Sequence, residues 1–399
     1  MSESICLGHI SLSIFLAQVR IMVPKAVSRG ILVIVICSLL WWTFRPLRGS
    51  HAVLTEPLQT VDLLSPTSDD GRKTPELYAS RAAYDLCSAY GYSAFVPKSP
   101  SSERKVYDML MINDELDFLE IRLNALYDYV DYFIIVESAK TFQANSKPLI
   151  LKENWDRFRR YHDKIIYHEL TFPSSFDPHR AWDYEDLQRD APFDQVMLSL
   201  VGPRAPNKGD VVIVADVDEI PRPQTLLVLR YCKFPRRLTL SSKFYYYSFQ
   251  FLHTGPEWQH PQATYYQGHQ TLKPTNLRNG DGGFRPFRFL ERGVLSNSGW
   301  HCSSCFPTID QFLNKMASFS HRWMNREEYR DKDKIAAAVR EGKDLWGREQ
   351  DQFVRIENNK DMPPLVLEEP KRFGYMISRD GLSAGFVDYN GKEKRQYTT

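Results

Sequence analysis

From Arg104 onward, short apolar runs alternate with stretches whose leucines recur every three or four positions. Val106 to Ile112 reads as a strand, and Glu115 to Tyr127 as a helix with Leu116, Leu119, Leu123 and Leu126 on one face. Val130 to Val136 is a continuous apolar run, the pattern of a strand buried on both faces. A helix around Trp155 to Tyr161, a strand at Lys164 to His168, a longer helix near Tyr184 to Leu200 and a strand at Asp210 to Ala215 follow. This βαβαβαβ order predicts an α/β domain with a mainly parallel central sheet and helices on its faces.

The texture before Arg104 is different. Residues 31 to 44, ILVIVICSLLWWTF, carry no charge and are bracketed by Lys25, Arg29, Arg45 and Arg48. The block is shorter than the roughly 20 residues a thick bilayer needs, but basic side chains at its ends can snorkel and thin membranes demand less. It is read as a single membrane anchor. Bulky Trp41, Trp42 and Phe44 stand where the cleavage site of a signal peptide needs small residues. An earlier apolar run, Ile5 to Val19, is broken by Gly8, His9 and serines, and Met22 is a candidate initiator that would leave a short basic tail before the anchor. The expected organisation is a cytoplasmic tail at 1–30, an anchor at 31–44 and a Pro/Ser-rich stem at 45–104 with a short helix in Pro75 to Tyr90. A catalytic domain at 105–385 and a tail at 386–399 complete it.

Composition narrows the function classes. Lys+Arg 51 against Asp+Glu 49 leaves a net charge of +2, no field of the kind a nucleic-acid surface shows. A mean hydropathy of −0.42 excludes a polytopic membrane protein. Of six cysteines, Cys87, Cys232, Cys302 and Cys305 lie beyond the hydrophobic N-terminal region, and four thiols allow three pairings. Cys302-x-x-Cys305 lacks a second metal-binding pair, so a disulfide or two buried thiols is expected there rather than zinc.

The densest chemistry is DVVIVADVDEIPR, Asp210 to Arg222. Val211 to Val214 cross the core and deliver Asp216, Asp218 and Glu219 to the carboxyl end of a strand, where open α/β sheets receive ligands. In an extended backbone residues i and i+2 share a side, so Asp216 and Asp218 are expected to address one Mn or Mg ion that bridges to a diphosphate. A solvated acidic turn before a helix opened by Pro223 is the plainer alternative.

Three motifs in this order, INDELDFLEIRLNALYDYVDYFIIVES ending at Ser138, DVDEIP at Asp216 to Pro221 and GWHCSSCF at Gly299 to Phe306, resemble glycosyltransferase family 17. Thr141, Lys147-Pro148-Leu149 and, more loosely, Pro370 to Phe373 extend the resemblance over roughly 105–380. It implies a GT-A-like nucleotide-sugar-binding domain behind a single N-terminal transmembrane helix, a type II protein of the Golgi membrane with its catalytic domain in the lumen. UDP-GlcNAc would be the donor and a mannose-containing, N-linked glycan of a glycoprotein the acceptor, with inversion at the anomeric carbon and no nucleic-acid partner. Asp216, Asp218 and His301 are the expected metal ligands. Glu137 and Thr141, with Asp216 and Asp218, are expected at the nucleotide. Inversion needs a base near the acceptor, for which Asp281, in the glycine-rich Arg278-Asn-Gly-Asp-Gly-Gly segment, ranks ahead of Glu219. Trp300 and the run Phe244 to Tyr247 are candidate sugar platforms, and Lys243, Arg285 and Arg288 candidate diphosphate neighbours. Val217 departs from the alanine of the animal family member, which leaves acceptor choice open. The alternatives are a transferase with another donor or acceptor, and a catalytically silent glycan-binding protein.

Overall fold

The structure, a computed structural model, describes residues 51–53, 81–97 and 103–391. The expected anchor at 31–44, the tail before it, most of the stem and residues 392–399 lie outside the described residues. Among the described residues no helix is long and apolar enough to cross a membrane.

Along the chain the strands are β1 (His51–Val53), β2 (Ser93–Ala94), β3 (Val106–Ile112), β4 (Tyr132–Glu137), β5 (Ile165–Glu169), β6 (Val211–Asp216), β7 (Glu219–Pro221) and β8 (Cys232–Lys233). They continue as β9 (Arg237–Leu240), β10 (Lys243–Tyr246), β11 (Ser248–His253), β12 (Gln262–Tyr265), β13 (Arg292–Ser296), β14 (Gly299–Ser303) and β15 (Phe353–Arg355). The helices used below are α1 (Arg81–Ala89), α2 (Leu116–Leu126), α3 (Ile150–Glu153), α4 (Ala181–Ala191), α5 (Pro223–Tyr231), α6 (Pro274–Arg278) and α7 (Ile309–Ser318).

The central sheet runs β1-β13-β9-β12-β6-β3-β4-β5. All neighbours pair in parallel except at β12, which is antiparallel to both β6 and β9. The mainly parallel sheet expected from the βα alternation is therefore present, with one reversed strand. Val211 to Ala215 and Phe133 to Val136 are almost wholly buried because helices cover both faces, which is why these strands read as unbroken apolar runs. A second sheet, β15-β11-β10-β14-β7, had no counterpart in the sequence reading. Its aromatic strands pack Tyr245 and Phe249 into the main core, and Tyr246 and Tyr247 into a separate cluster with Phe312.

His51–Val53 pairs with β13, α1 docks through Leu86 and Ala83, and a Cys87–Cys232 disulfide ties this segment to the end of α5. The short helix expected within Pro75 to Tyr90 is α1. The second bridge joins Cys302 and Cys305, in line with the non-zinc reading.

One buried ion pair fixes the strand that matters most. Arg122 of α2 and Asp108 of β3 are both fully buried and meet through two bonds of 2.7 Å. The same guanidinium donates to the carbonyl oxygens of Asp216 at 3.2 Å and Glu219 at 2.6 Å. The chain therefore leaves β6 with its backbone tethered on either side of Asp218.

Candidate active site

The chain passes from the first sheet to the second through a tight turn at Val217 and Asp218, between β6 and β7. A cavity of about 420 Å³ opens at this seam, lined by the carboxyl ends of β3 and β6 and by residues after β4, on β10 and β14, and on α7. Asp216, Asp218, Thr141 and His301 all line it.

The turn changes what the two aspartates can do. The extended i, i+2 geometry expected for Asp216 and Asp218 ends at Asp216, and the next two residues are not strand. Both oxygens of Asp216 are taken by guanidiniums, Arg189 at 2.7 Å and Arg278 at 2.6 Å. Burial opposes ionisation of Asp216, but Arg189 and Arg278 outweigh it and hold the carboxyl below its usual range. Asp218 instead lies with one carboxylate oxygen 3.6 Å from His301 Nδ1 and the other 3.5 Å from Lys315 Nζ. His301 reaches this point because β14 pairs β7 and β10, placing His301 opposite Glu219 and Phe244. Its ring stacks against Trp258 and Phe244, at 4.7 Å and 5.2 Å between centroids, which fixes its plane.

Three other sequence assignments are corrected by these positions. Glu219 is fully buried, with its carboxylate accepting from Arg278, from Trp258 Nε1 at 2.7 Å and from the Asp216 amide at 2.9 Å, so no acceptor hydroxyl reaches it. Burial works against its charge, yet Arg278 holds it well below the usual carboxylate range. Asp281 does not line the cavity; it pairs with Arg288 at 2.9 Å, and its carbonyl accepts from Arg237 at the start of β9, the opposite rim of the sheet. Glu137 is fully buried and accepts from the Leu151 and Lys152 amides at the start of α3, and from Tyr167. That is the helix-capping arrangement rather than a nucleoside contact. Thr141 stays on the cavity wall while its hydroxyl closes a local turn with the Asn145 amide.

Trp300 is core, its indole bonded to Asp361 at 2.7 Å and covered by Arg222. Lys243 also pairs with Asp361, and Arg288 with Asp281, so neither serves a diphosphate; Arg285 does not line the cavity. Of the aromatic run, Phe244 and Tyr246 line the cavity and Tyr245, between them on β10, does not, as strand alternation requires; Tyr247 lies beyond the strand, with a φ of 63°, and does not line it either.

The site also holds Lys147 of the Lys147-Pro148-Leu149 motif, Glu115 just beyond the end of β3, and Lys315, which the sequence did not single out. Lys315 sits near the apolar face of α7, three residues beyond buried Phe312. Such a lysine is the available sequence signal, since a solvated lysine has no reason to occupy that face. Burial lowers the Lys315 pKa, but Asp218 and Glu115 override it and raise it. Lys147 lines the cavity too; burial depresses its pKa despite Glu137 and Glu115 nearby. Glu115, on the cavity wall, is pushed up to about 7 by burial and by Asp114, against the pull of Lys315. The cavity thus brings together the Asp218 carboxylate and the His301 imidazole, lysines that include Lys147 and Lys315 and suit phosphate oxygens, and an aromatic wall that includes Phe244, Tyr246 and Trp346.

A model described as Glycosyltransferase family 17 matches residues 67–365. The human protein named β-1,4-mannosyl-glycoprotein 4-β-N-acetylglucosaminyltransferase is 26% identical over 331 residues, covering 73% of this chain and 59% of the human one. The rat protein of the same name is 26% identical over 308 residues, covering 69% and 54%. The chain thus spans less than two thirds of the length of these relatives. Among solved structures, a mannosyltransferase from Pyrobaculum calidifontis in complex with GDP-Man and Mn2+ aligns over 67% of this chain and 71% of its own, at 11% identity and a TM-score of 0.29. That superposition is too loose to carry an argument.

Proposed function

The chain belongs to glycosyltransferase family 17, and on that premise we propose that it is a metal-dependent, GT-A-like transferase. It moves N-acetylglucosamine from UDP-GlcNAc to a mannose-containing, N-linked glycan in the Golgi lumen. The observation that carries this reading is the meeting of Asp218 and His301 beside Lys315 in one cavity at the carboxyl end of a parallel sheet.

One carboxylate and one imidazole are a donor set that suits Mn2+ or Mg2+ when phosphate oxygens and water fill the other positions. Among the described residues no group of three or more His, Cys, Asp or Glu is arranged to hold a metal. Asp218 and His301 would therefore hold the ion together with the diphosphate, and Asp216 would not be a ligand. The ion supplies charge stabilisation for the departing diphosphate.

The remaining chemistry belongs to the chain. Arg189 and Arg278 hold Asp216, and with Arg122 they keep the turn in the shape that points Asp218 into the cavity. Lys315 and Lys147 offer ammonium groups to the phosphate oxygens. Glu115 replaces Asp281 and Glu219 as the candidate base: it lines the cavity, and a carboxyl near 7 is matched to taking a hydroxyl proton at neutral pH.

The test is release of UDP or GDP from a panel of nucleotide sugars with a mannose-containing N-glycan acceptor, with and without EDTA. UDP release confined to UDP-GlcNAc and lost in EDTA is expected. Release from GDP-sugars, or full activity in EDTA, would overturn the donor or the metal assignment. Glycan binding with no nucleotide release would favour the silent glycan-binding alternative. Asp218→Asn is expected to remove both activity and Mn2+ binding by electron paramagnetic resonance.

A further inference from the structure

The segment Phe284 to Glu291, which leads into β13, exposes three phenylalanines within six residues: Phe284 at 68%, Phe287 at 57% and Phe289 at 59%. Phe284 and Phe287 touch each other, at 5.4 Å between centroids, and no cavity residue is among them. An exposed aromatic cluster of this kind marks an interaction surface. Around it stand five arginines, Arg236, Arg237, Arg285, Arg288 and Arg292, against two acids, Asp281 and Glu291. Asp281 is paired with Arg288, and Glu291 with Arg236 and Arg237. Arg285 and Arg292 are exposed, without an ion-pair partner among the described residues.

The chain says what lies opposite this surface. β1 pairs in parallel with β13, so that His51 sits beside Val294, three residues beyond the end of the phenylalanine segment. Only Arg45 to Ser50 separate β1 from the uncharged block 31–44. Seven Cα steps span at most about 25 Å even when fully extended. If 31–44 lies in a bilayer, the surface of that bilayer is within this reach of the amino ends of β1 and β13.

We propose that Phe284, Phe287 and Phe289, with Arg285 and Arg292, form a docking face for the surface of the phospholipid bilayer that holds the anchor. The aromatic rings enter the interfacial region, and the guanidiniums meet lipid phosphates. The active-site cavity lies at the carboxyl ends of the parallel strands, whereas this face lies at the amino end of β13, parallel to β6 in direction. Docking therefore turns the cavity away from the membrane, toward glycans of proteins in the adjoining compartment. The inference rests on the anchor reading and is independent of donor, metal and acceptor.

The full chain is reconstituted into phosphatidylcholine vesicles, with and without phosphatidylserine, carrying photoreactive p-benzoylphenylalanine in place of Phe287. A control carries it in place of Val387, which is 78% exposed and lies beyond α7. Resistance to carbonate extraction verifies anchoring, and mass analysis identifies the adducts. Lipid adducts at least tenfold more abundant at 287 than at 387, and more abundant with phosphatidylserine, are expected. Equal yields at the two positions, a chain-to-chain adduct at 287 that marks a second copy, an adduct with a glycoprotein acceptor, or full extraction by carbonate would each overturn the proposal.

Discussion

Replacing Arg122 by methionine separates what the buried ion pair does for stability from what it does for the site. Asp108 has no exposed surface, and Arg122 supplies its two 2.7 Å bonds. Breaking such a pair from one side leaves an uncompensated buried charge, at a cost of about 3–5 kcal/mol. Replacing both partners, as Arg122→Met with Asp108→Leu, removes that charge and should return most of the lost stability. It does not return the bonds to the carbonyls of Asp216 and Glu219, which bracket Asp218. A displacement of about 1 Å at a positioned group is enough for a loss of roughly 100-fold. The expected result is a single variant that is both unstable and inactive, and a double variant near wild type in urea unfolding but about 100-fold slower in UDP release. The reasoning fails if the single variant lies within 1 kcal/mol of wild type, or if the double variant recovers rate along with stability.

Asp216 and Asp218 should part company. Asp216→Ala takes one of two carboxylate partners from each of Arg189 and Arg278, which keep Glu185 and Glu219, and is expected to lower the melting temperature as well as the rate; Asp218→Ala should spare the melt and abolish transfer, as thermal denaturation beside an activity assay would show. Asp210 is raised to about 6, mainly by burial. Its folded value lies above its unfolded one, so its contribution is fully present below about 4 and is lost as pH rises through 6. Asp210→Asn should flatten the pH dependence of stability in that window, measured by urea midpoints from pH 4 to 7. The Cys87–Cys232 bridge closes a separation of 145 residues. In the chain-entropy model it contributes about 5 kcal/mol, so Cys87→Ser paired with Cys232→Ser should lower the unfolding midpoint markedly while leaving UDP release by the folded protein near wild type. An unchanged midpoint would show that the closed loop retains its structure when unfolded.

Local pattern reached far in this protein where one physical rule dominated. The strands Val106–Ile112 and Val211–Asp216 lie where their apolar runs put them, because burial on both faces leaves few alternatives to Val, Ile and Leu. The order of strands and helices determined a mainly parallel sheet, and the strand-end rule placed Asp216 and Asp218 at its carboxyl edge. The reversed β12 and the second sheet were not legible, since each depends on pairing partners far apart in sequence, such as His301 with Phe244 and Glu219.

The roles of individual acids were decided only by tertiary structure. Sequence carries the identity of a carboxylate but not what stands opposite it. Arg278, 59 residues beyond Glu219, converts that acid and Asp216 into a buried framework, and α3 turns Glu137 into a cap. Asp281, close to Arg278 in the chain, ends at the other rim of the sheet because the chain returns there to begin β13. Charge type is local and written in the chain; whether a charge is spent on a neighbour or left facing a cavity is settled by long-range packing, which brings those neighbours within hydrogen-bond reach.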